Sequence, residues 1–421
     1  MNILIVGSGG REHAIAKKVS ESKLCTQLYI APGNPGTAQC GINIPISIGN
    51  VEEIKAFCLL NNVTLIIVGP EGPLVEGFTN AFRFEDTKHI GIIGPDAYAS
   101  QLEGSKSFAK KFMQKYSIPT AAYLEVNVDN LDEGLHFLSR LTPPFVLKAD
   151  GLAAGKGVLI IEDIEEAKLE LKAMISGKFG KASATVVIEE FLSGIEFSVF
   201  ALTDGKDYVL LPEAKDYKRI GEGDTGLNTG GMGAISPVSF VNEVLWKKVI
   251  NKIVKPTIDG LYHENMDYTG FVFFGLINVG GEPYVIEYNC RMGDPETEVV
   301  IPRIMDDLVE ILKAAVDKKL SGRELTFTEK AAATIMMVSG GYPGNFEKNK
   351  VILGLESVSD SMIYHAGTTE KDGQILSAGG RVLAITTLNV DFKHAVEISL
   401  ANAEKISFDG QYYRKDIGFD L

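Results

Sequence analysis

The sequence predicts a multidomain protein of mixed α/β and α+β class. It has an N-terminal parallel sheet, a larger middle domain with a glycine-rich lid, and a small mixed α/β domain at the C-terminal end. Three observations predict this. The chain has 421 residues, more than a single hydrophobic core holds. Its N-terminal quarter alternates short β-branched runs with helical patterns, and the runs end in glycine or proline. From about Lys330 the pattern changes to strands and one long helix. The expected domains are residues 1–102, 103–328 with a lid at about 123–193, and 329–421.

Residues 2–6 read as a buried strand, and Gly7-Ser8-Gly9-Gly10-Arg11-Glu12-His13-Ala14 leads into a helix through Val19. Strand, glycine turn and helix start form a Rossmann-like corner whose outward N–H groups suit an anion. A dinucleotide fingerprint needs glycine where Glu12 stands, and an acid at the end of the second strand. Instead Leu28-Tyr29-Ile30-Ala31 ends in Pro32-Gly33-Asn34-Pro35-Gly36-Thr37. The residues disfavour a dinucleotide. They leave open a phosphate or ribose site on these two loops, or a structural turn. Leu65–Val68 before Gly69-Pro70-Glu71, and Ile90–Ile93 before Gly94-Pro95, extend the sheet, whose strand-end loops line the binding crevice.

Leu102-Glu103-Gly104-Ser105-Lys106 opens a helix to Tyr116 that Ile118-Pro119 ends. Lys106 in its first turn opposes the helix dipole, so it serves an anion or is simply solvated. Phe145-Val146-Leu147-Lys148 is a strand running into a loop with Gly151, Gly155, Lys156 and Gly157, and Val158–Ile161 is a strand again. A Walker loop needs four residues between its glycines, Ser or Thr after the lysine, and a following helix. This stretch is instead a glycine-rich hairpin, either a lid of a kind that can fold over a triphosphate and exclude water or an ordinary glycine-rich turn. A helix over 165–175 precedes strand Thr185–Ile188, which runs into Glu189, Glu190, Phe191 and Leu192. That backbone edge can read an adenine, and Glu196 can accept from ribose hydroxyls. Acids at strand ends are also commonly just solvated.

Pro212 to Arg219 is a dense charge cluster containing Asp216, and Asp224 to Gly233 a long polar loop containing Asn228, Gly230 and Gly231. A helix over 242–263 precedes a hairpin, Gly270–Val279 with Pro283–Glu287, turning at Gly280-Gly281. The second strand carries Glu287 and Asn289 two residues apart, hence on one face, with Arg291 next on it. A carboxylate beside an amide oxygen is hard donation suited to Mg²⁺ shared with a phosphate. The bland alternative is a solvated strand end. A helix over 306–319, strands at 331–338, 362–365 and 380–385, and a helix over 389–406 complete the chain.

The net charge of −14 argues against a nucleic-acid or anionic-membrane surface. No apolar run approaches the ~20 residues of a membrane span. The N-terminus enters a strand directly, and the four cysteines form no C-x-x-C pair. Together these predict a cytoplasmic protein with reduced thiols.

Taken jointly, several segments resemble the glycinamide ribonucleotide synthetase family of ATP-grasp enzymes. They are Gly9-Gly-Arg-Glu-His13, Pro32-Gly-Asn-Pro-Gly36, Val68-Gly-Pro-Glu71, Leu102-Glu-Gly-Ser-Lys106, Lys148 to Gly157, Asn228-Thr-Gly-Gly-Met-Gly233, Asn289-Cys-Arg291 with Gly293-Asp-Pro-Glu296, and Arg414-Lys-Asp-Ile-Gly418. The resemblance implies an ATP-grasp middle domain and ATP-dependent ligation of glycine to 5-phosphoribosylamine, an early step of purine synthesis. It implies small-molecule substrates only, with Mg²⁺ or Mn²⁺ as the metal. Lys106, Lys148 and the lid residues Gly155, Lys156 and Gly157 would serve the ATP phosphates. Glu189 to Leu192 and Asn228 would frame the nucleotide, Glu196 its ribose, and Glu287 and Asn289 the metal. Arg291 and Asp216 would grip glycine. Gly9, Gly10, Asn34, Pro35, Gly36, Thr37, Gly230 and Gly231 would face phosphoribosylamine. A transient contact with the amidotransferase that supplies this amine is a further expectation, as is the lack of fused later-step domains. Met292 and Tyr217 depart from the family pattern, which usually has Phe and His there.

Overall fold

The computed structural model describes residues 1–152, 157–180 and 184–421. The lid residues Gly155 and Lys156 lie outside the described residues.

The N-terminal sheet is parallel, in the order β3-β2-β1-β4-β5, from β1 (Asn2–Gly7), β2 (Gln27–Pro32), β3 (Ile42–Asn43), β4 (Val63–Val68) and β5 (Gly91–Ile93). Alternate residues explain why its strands read as unbroken apolar runs. Leu4, Val6, Ile66 and Val68 enter one core, while Ile3, Ile5, Leu65 and Ile67 enter another. Helix Gly10–Ser20 follows β1 directly. Glu12, standing where a dinucleotide fold needs glycine, is buried there and accepts from Gly9 N at 2.6 Å. A Cβ on Gly7 would lie 2.5 Å from its Cγ, so this glycine makes room for the glutamate.

The segment expected to form the lid is a four-stranded antiparallel sheet, β6 (Tyr123–Val126), β9 (Val186–Glu190), β7 (Phe145–Ala149) and β8 (Val158–Ile161), in that spatial order. It has its own core, with Leu138, Leu147, Leu171 and Ile188. Beside it lies β11 (Tyr208–Leu210), β10 (Ile195–Thr203), β16 (Gly270–Val279) and β17 (Glu282–Asn289).

The charge cluster and the polar stretch after it fold as β12 (Lys215–Asp216), β13 (Arg219–Gly221), β14 (Thr225–Asn228) and β15 (Gly233–Ser236). Here the expectation of one long loop from Asp224 to Gly233 is corrected. β13 and β14 pair as a hairpin turned by Gly223 and Asp224, both at positive φ. Strands β12 and β15 join β18 (Ala331–Val338), β20 (Arg381–Asn389) and β19 (Met362–His365) in one sheet, with helix Phe392–Ala403 against it. The charge cluster is thereby rooted in the sheet of the C-terminal region, which periodicity alone does not reveal. The helix expected over 242–263 is three pieces, with a π-turn at Ile250–Val254 just before Pro256, which has no N–H to donate. Among the described residues no helix is long and apolar enough to cross a membrane.

Candidate functional site

The strand ends converge on a cavity of about 660 Å³, contiguous through Lys148, Glu189, Lys218 and Glu287 with a smaller one of about 250 Å³. The smaller one has apolar walls, Val146, Ile160, Ile277 and Val285, with Phe191 and Leu192 at its rim. A flat base fits there, and Glu196 and Asn228 reach the same space.

Three lysines meet where the two cavities join. Lys106 opens helix Lys106–Lys115, whose N-cap Ser105 accepts from Phe108 N at 3.0 Å. Asp150, just after β7, accepts from Ser107 N (2.7 Å) and Ser105 Oγ (3.0 Å). The lid strand thus caps this helix, and Lys106 Nζ donates to Gly151 O at 3.3 Å. Burial lowers the Lys106 pKa, and Glu287 opposes that. Lys148 pairs with Glu189 Oε1 at 3.0 Å and donates to Ile286 O at 3.3 Å. Glu189 Oε2 lies 3.0 Å from Lys110. The Glu189 side chain is therefore held between two lysines, and its backbone is what remains to meet a base. Burial pushes Lys110 down to about 8 against the pull of Glu189. Sequence reasoning missed Lys110; its one signal was the spacing of four from Lys106, which puts both on one helix face.

Glu287 and Asn289 both line the larger cavity. The β16–β17 register slips between Gly275 and Leu276, so Ile286 is an extra residue on β17 and its carbonyl reaches Lys148. Tyr288 points the other way, buried against Thr257 Oγ1 at 2.9 Å. Oriented to satisfy its surroundings, the Asn289 amide nitrogen donates to Glu103 Oε1 and Tyr288 O, each at 3.0 Å, leaving its carbonyl oxygen for a cation. Glu103 also accepts from Cys290 N (2.8 Å) and pairs with Arg291 (2.8 Å), so one buried carboxylate orients three consecutive residues. Sequence reading gave Glu103 no role. Among the described residues no cluster of three or more His, Cys, Asp or Glu can hold a metal by itself. Two oxygen donors fit Mg²⁺, which takes one or two protein ligands and completes its shell with phosphate and water.

Arg291 divides its fork between Glu103 and Glu71 (3.2 Å). Asp216 is half-buried in the same cavity, and burial raises its pKa while Lys218 lowers it. Lys218, another residue given no role from sequence, pairs with Glu196 at 2.8 Å. Glu296 faces this group, accepts from Ser198 Oγ at 3.0 Å, and is pushed up to about 7 by burial and then by Asp216.

This shift has a sign that stability reports. Glu296 keeps its proton in the folded state to about 7 but loses it near 4.5 when unfolded. Its contribution is fully present below about 4.5 and is lost as pH rises through 7. Glu296→Gln mimics the protonated form, so its stability relative to the unmodified protein rises between pH 5 and 7. Urea midpoints at the two pH values check this; an unchanged difference rules it out.

The structure ties the two glycine corners to each other. Asn34 Nδ2 donates to Ser8 O (2.8 Å) and His365 O (2.7 Å), and its Oδ1 accepts from Gly36 N (2.8 Å) and Thr37 N (3.0 Å). A Cβ on Gly36 would run into the His13 ring. Among the described residues, the cavity lining takes in Gly230, Arg11 and Arg381 but not Gly9, Gly10 or Asn34 to Thr37. Gly231, at φ +113, packs against Pro295. Arg381 closes this end, pairing with Asp294 at 3.0 Å and donating to Gly230 O.

Comparison with known proteins agrees along the whole chain. Family models described as phosphoribosylglycinamide synthetase match residues 1–103 (N domain), 104–297 (ATP-grasp domain) and 332–420 (C domain). The chain is 45% identical over 424 residues to a phosphoribosylamine–glycine ligase of Pasteurella multocida, covering 100% of this chain and 98% of that one. It is 43% identical to the ligase of that name from Caldanaerobacter subterraneus, covering 99% of each. The crystal structure of phosphoribosylamine–glycine ligase from Thermotoga maritima superposes with a TM-score of 0.83 at 34% identity, covering 99% of this chain and 100% of that one. An ADP complex of N5-carboxyaminoimidazole ribonucleotide synthetase, at 18% identity and a TM-score of 0.65 over 96% of each chain, shares the fold.

Proposed function

The chain belongs to the phosphoribosylglycinamide synthetase family, and on that premise we propose how its cleft joins glycine to 5-phosphoribosylamine, forming glycinamide ribonucleotide, ADP and phosphate. It is an ATP-dependent carbon–nitrogen ligase of purine biosynthesis. The observation that carries the proposal is the meeting of Lys106 and Lys148 with Glu287 and Asn289 in a cavity that opens into an apolar base-sized pocket.

Amide formation from a carboxylate is uphill, and a carboxylate resists amine attack, so the acid must first be activated. A glycine carboxylate oxygen attacks the γ-phosphorus of ATP as the bond to ADP breaks, giving glycyl phosphate. The amine of phosphoribosylamine then attacks the glycyl carbonyl carbon, phosphate leaves, and the nitrogen loses a proton. No enzyme nucleophile is required; positioning and charge neutralisation suffice. Lys106 and Lys148 hold the phosphates. The apolar pocket takes adenine beside Glu190, Phe191 and Leu192, and Glu196 the ribose. Arg291 receives the glycine carboxylate and Asp216 its amino group. Gly230 and Gly231, with the joined Gly9-Gly10 and Asn34–Thr37 corners behind Arg381, bound the phosphoribosylamine end. Glu287 and the Asn289 carbonyl would hold Mg²⁺ or Mn²⁺, which neutralises phosphate charge when bound. Gly155, Lys156 and Gly157 would serve the triphosphate. We place the enzyme in the cytoplasm, where transient contact with an amidotransferase would deliver its unstable amine.

Phosphate release from ATP, with each substrate left out in turn, tests this. Release is expected to need both glycine and phosphoribosylamine for sustained turnover. Sustained ADP formation without glycine would instead indicate a different acid substrate for the same fold.

A further inference from the structure

Arg414 lies at the end of the chain farthest in sequence from the nucleotide cleft, yet it is fully buried. Its Nε and Nη2 grip Asp416 bidentately at 2.8 and 2.7 Å, and its Nη1 donates to Asp224 Oδ1 at 2.7 Å and Arg219 O at 3.1 Å. Asp416 Oδ2 also accepts from Gly223 N at 2.7 Å. Both contacted turn residues, Gly223 and Asp224, form the tip of the β13–β14 hairpin. The same segment pins the strand leading into that hairpin from behind. Tyr217 Oη donates to Asp420 Oδ1 at 2.9 Å, Lys215 pairs with Asp420 at 3.2 Å, and the Arg414 guanidinium sits 5.4 Å from the Tyr217 ring centre.

The other side of these elements is the cleft. Asp216 and Lys218, flanking Tyr217, line the larger cavity, and Lys218, Asn228 and Thr229 line the base pocket. The hairpin needs such an anchor. A two-stranded hairpin is marginal alone. All of β14 is exposed, Leu227 to 66%, and Ile220 is its partly buried apolar root.

We propose that segment 414–420 braces residues 215–229 from the side opposite the cleft, with Arg414 as the positioning residue that fixes Lys218, Asn228 and Thr229 against the nucleotide. The inference rests on the reading of this cleft as the ATP site. The brace also gives Tyr217 a job: its hydroxyl and ring face are both used by the segment.

The test compares Arg414→Ala, Arg414→Lys and Asp224→Gly in the full chain. Asp224 is partly exposed and at φ +54, so glycine there removes the carboxylate without backbone strain. Charge-assisted forks hold more strongly than neutral bonds, so KM for ATP should rise about 10-fold in Arg414→Ala and about 3-fold in Asp224→Gly, with kcat within about 2-fold. Amide exchange should quicken across 219–229 and stay unchanged in β16. Lysine, which cannot fork, should restore only part of the ATP affinity. A merely structural role predicts fewer active molecules at unchanged KM. Wild-type KM and hairpin protection in both Arg414→Ala and Asp224→Gly would overturn the brace. If Arg414→Ala does not fold, Asp224→Gly decides alone. The ATP-site reading fails separately, if ATP binding ignores Lys148 and Glu287 while the hairpin is intact.

Discussion

Glu287→Gln is expected to lower turnover by at least about 10²-fold while leaving the thermal midpoint nearly unchanged. The two halves of that result have separate causes. Among the described residues Glu287 makes no ion pair, and its side chain is half-buried at a cavity wall, so the isosteric amide removes no partner. Its charge, however, faces Lys106, Lys218 and Asp216, and it is an anionic oxygen beside the Asn289 carbonyl. A neutral amide oxygen is a poor substitute where a divalent ion must offset several phosphate oxygens. A readout independent of catalysis is Mn²⁺ binding in the presence of a non-hydrolysable ATP analogue, which should weaken in step with turnover. Lost turnover with unaltered Mn²⁺ binding would remove Glu287 from the metal site and leave it an electrostatic role toward the lysines.

How far the sequence led depends on whether an interaction is local. Four strands of the parallel sheet were legible because each is an apolar run closed by glycine or proline, and their buried faces follow from a period of two; the two-residue edge strand β3 leaves no such run. Glu287 and Asn289 were legible because a strand fixes their common face, although the slip at Ile286, which brings a carbonyl to Lys148, leaves no mark in composition. Glu103 and Lys110 were not legible as site residues. Each acts through a partner far along the chain, Glu103 on residues 289–291 and Lys110 on Glu189. The hairpin of β13 and β14 was missed for a related reason: its polar strands lack an apolar alternation, and its stability comes from Arg414, 190 residues from Asp224. Gly9, Gly10 and Asn34 were recognisable as strand-end loop residues, with an anion site and a structural turn both open. What local chemistry could not show is that Asn34 uses its amide to bind the two loops to each other and to His365.

Lys148→Met should reduce kcat/KM for ATP by about 10³-fold, the scale on which a positioned cation stabilises phosphoryl transfer. The same substitution perturbs the fold, because Lys148 and Lys110 share the buried carboxylate of Glu189 at 3.0 Å each. Removing one partner of a buried pair costs roughly 3–5 kcal/mol when the other charge is left alone. Here Lys110 remains, so the loss should fall below that range. Lys110→Met, which takes the other 3.0 Å partner from Glu189, separates the two roles. If Lys148 served only to neutralise Glu189, the two lysine variants would lose stability and activity to a similar extent. If Lys148 reaches the ATP phosphates, the thermal midpoints fall alike and only Lys148→Met lowers kcat/KM by about 10³-fold. An equal loss of activity in both variants is the outcome that would reassign Lys148 from substrate binding to packing, and with it the electrostatic basis for placing the triphosphate between Lys106 and Glu287.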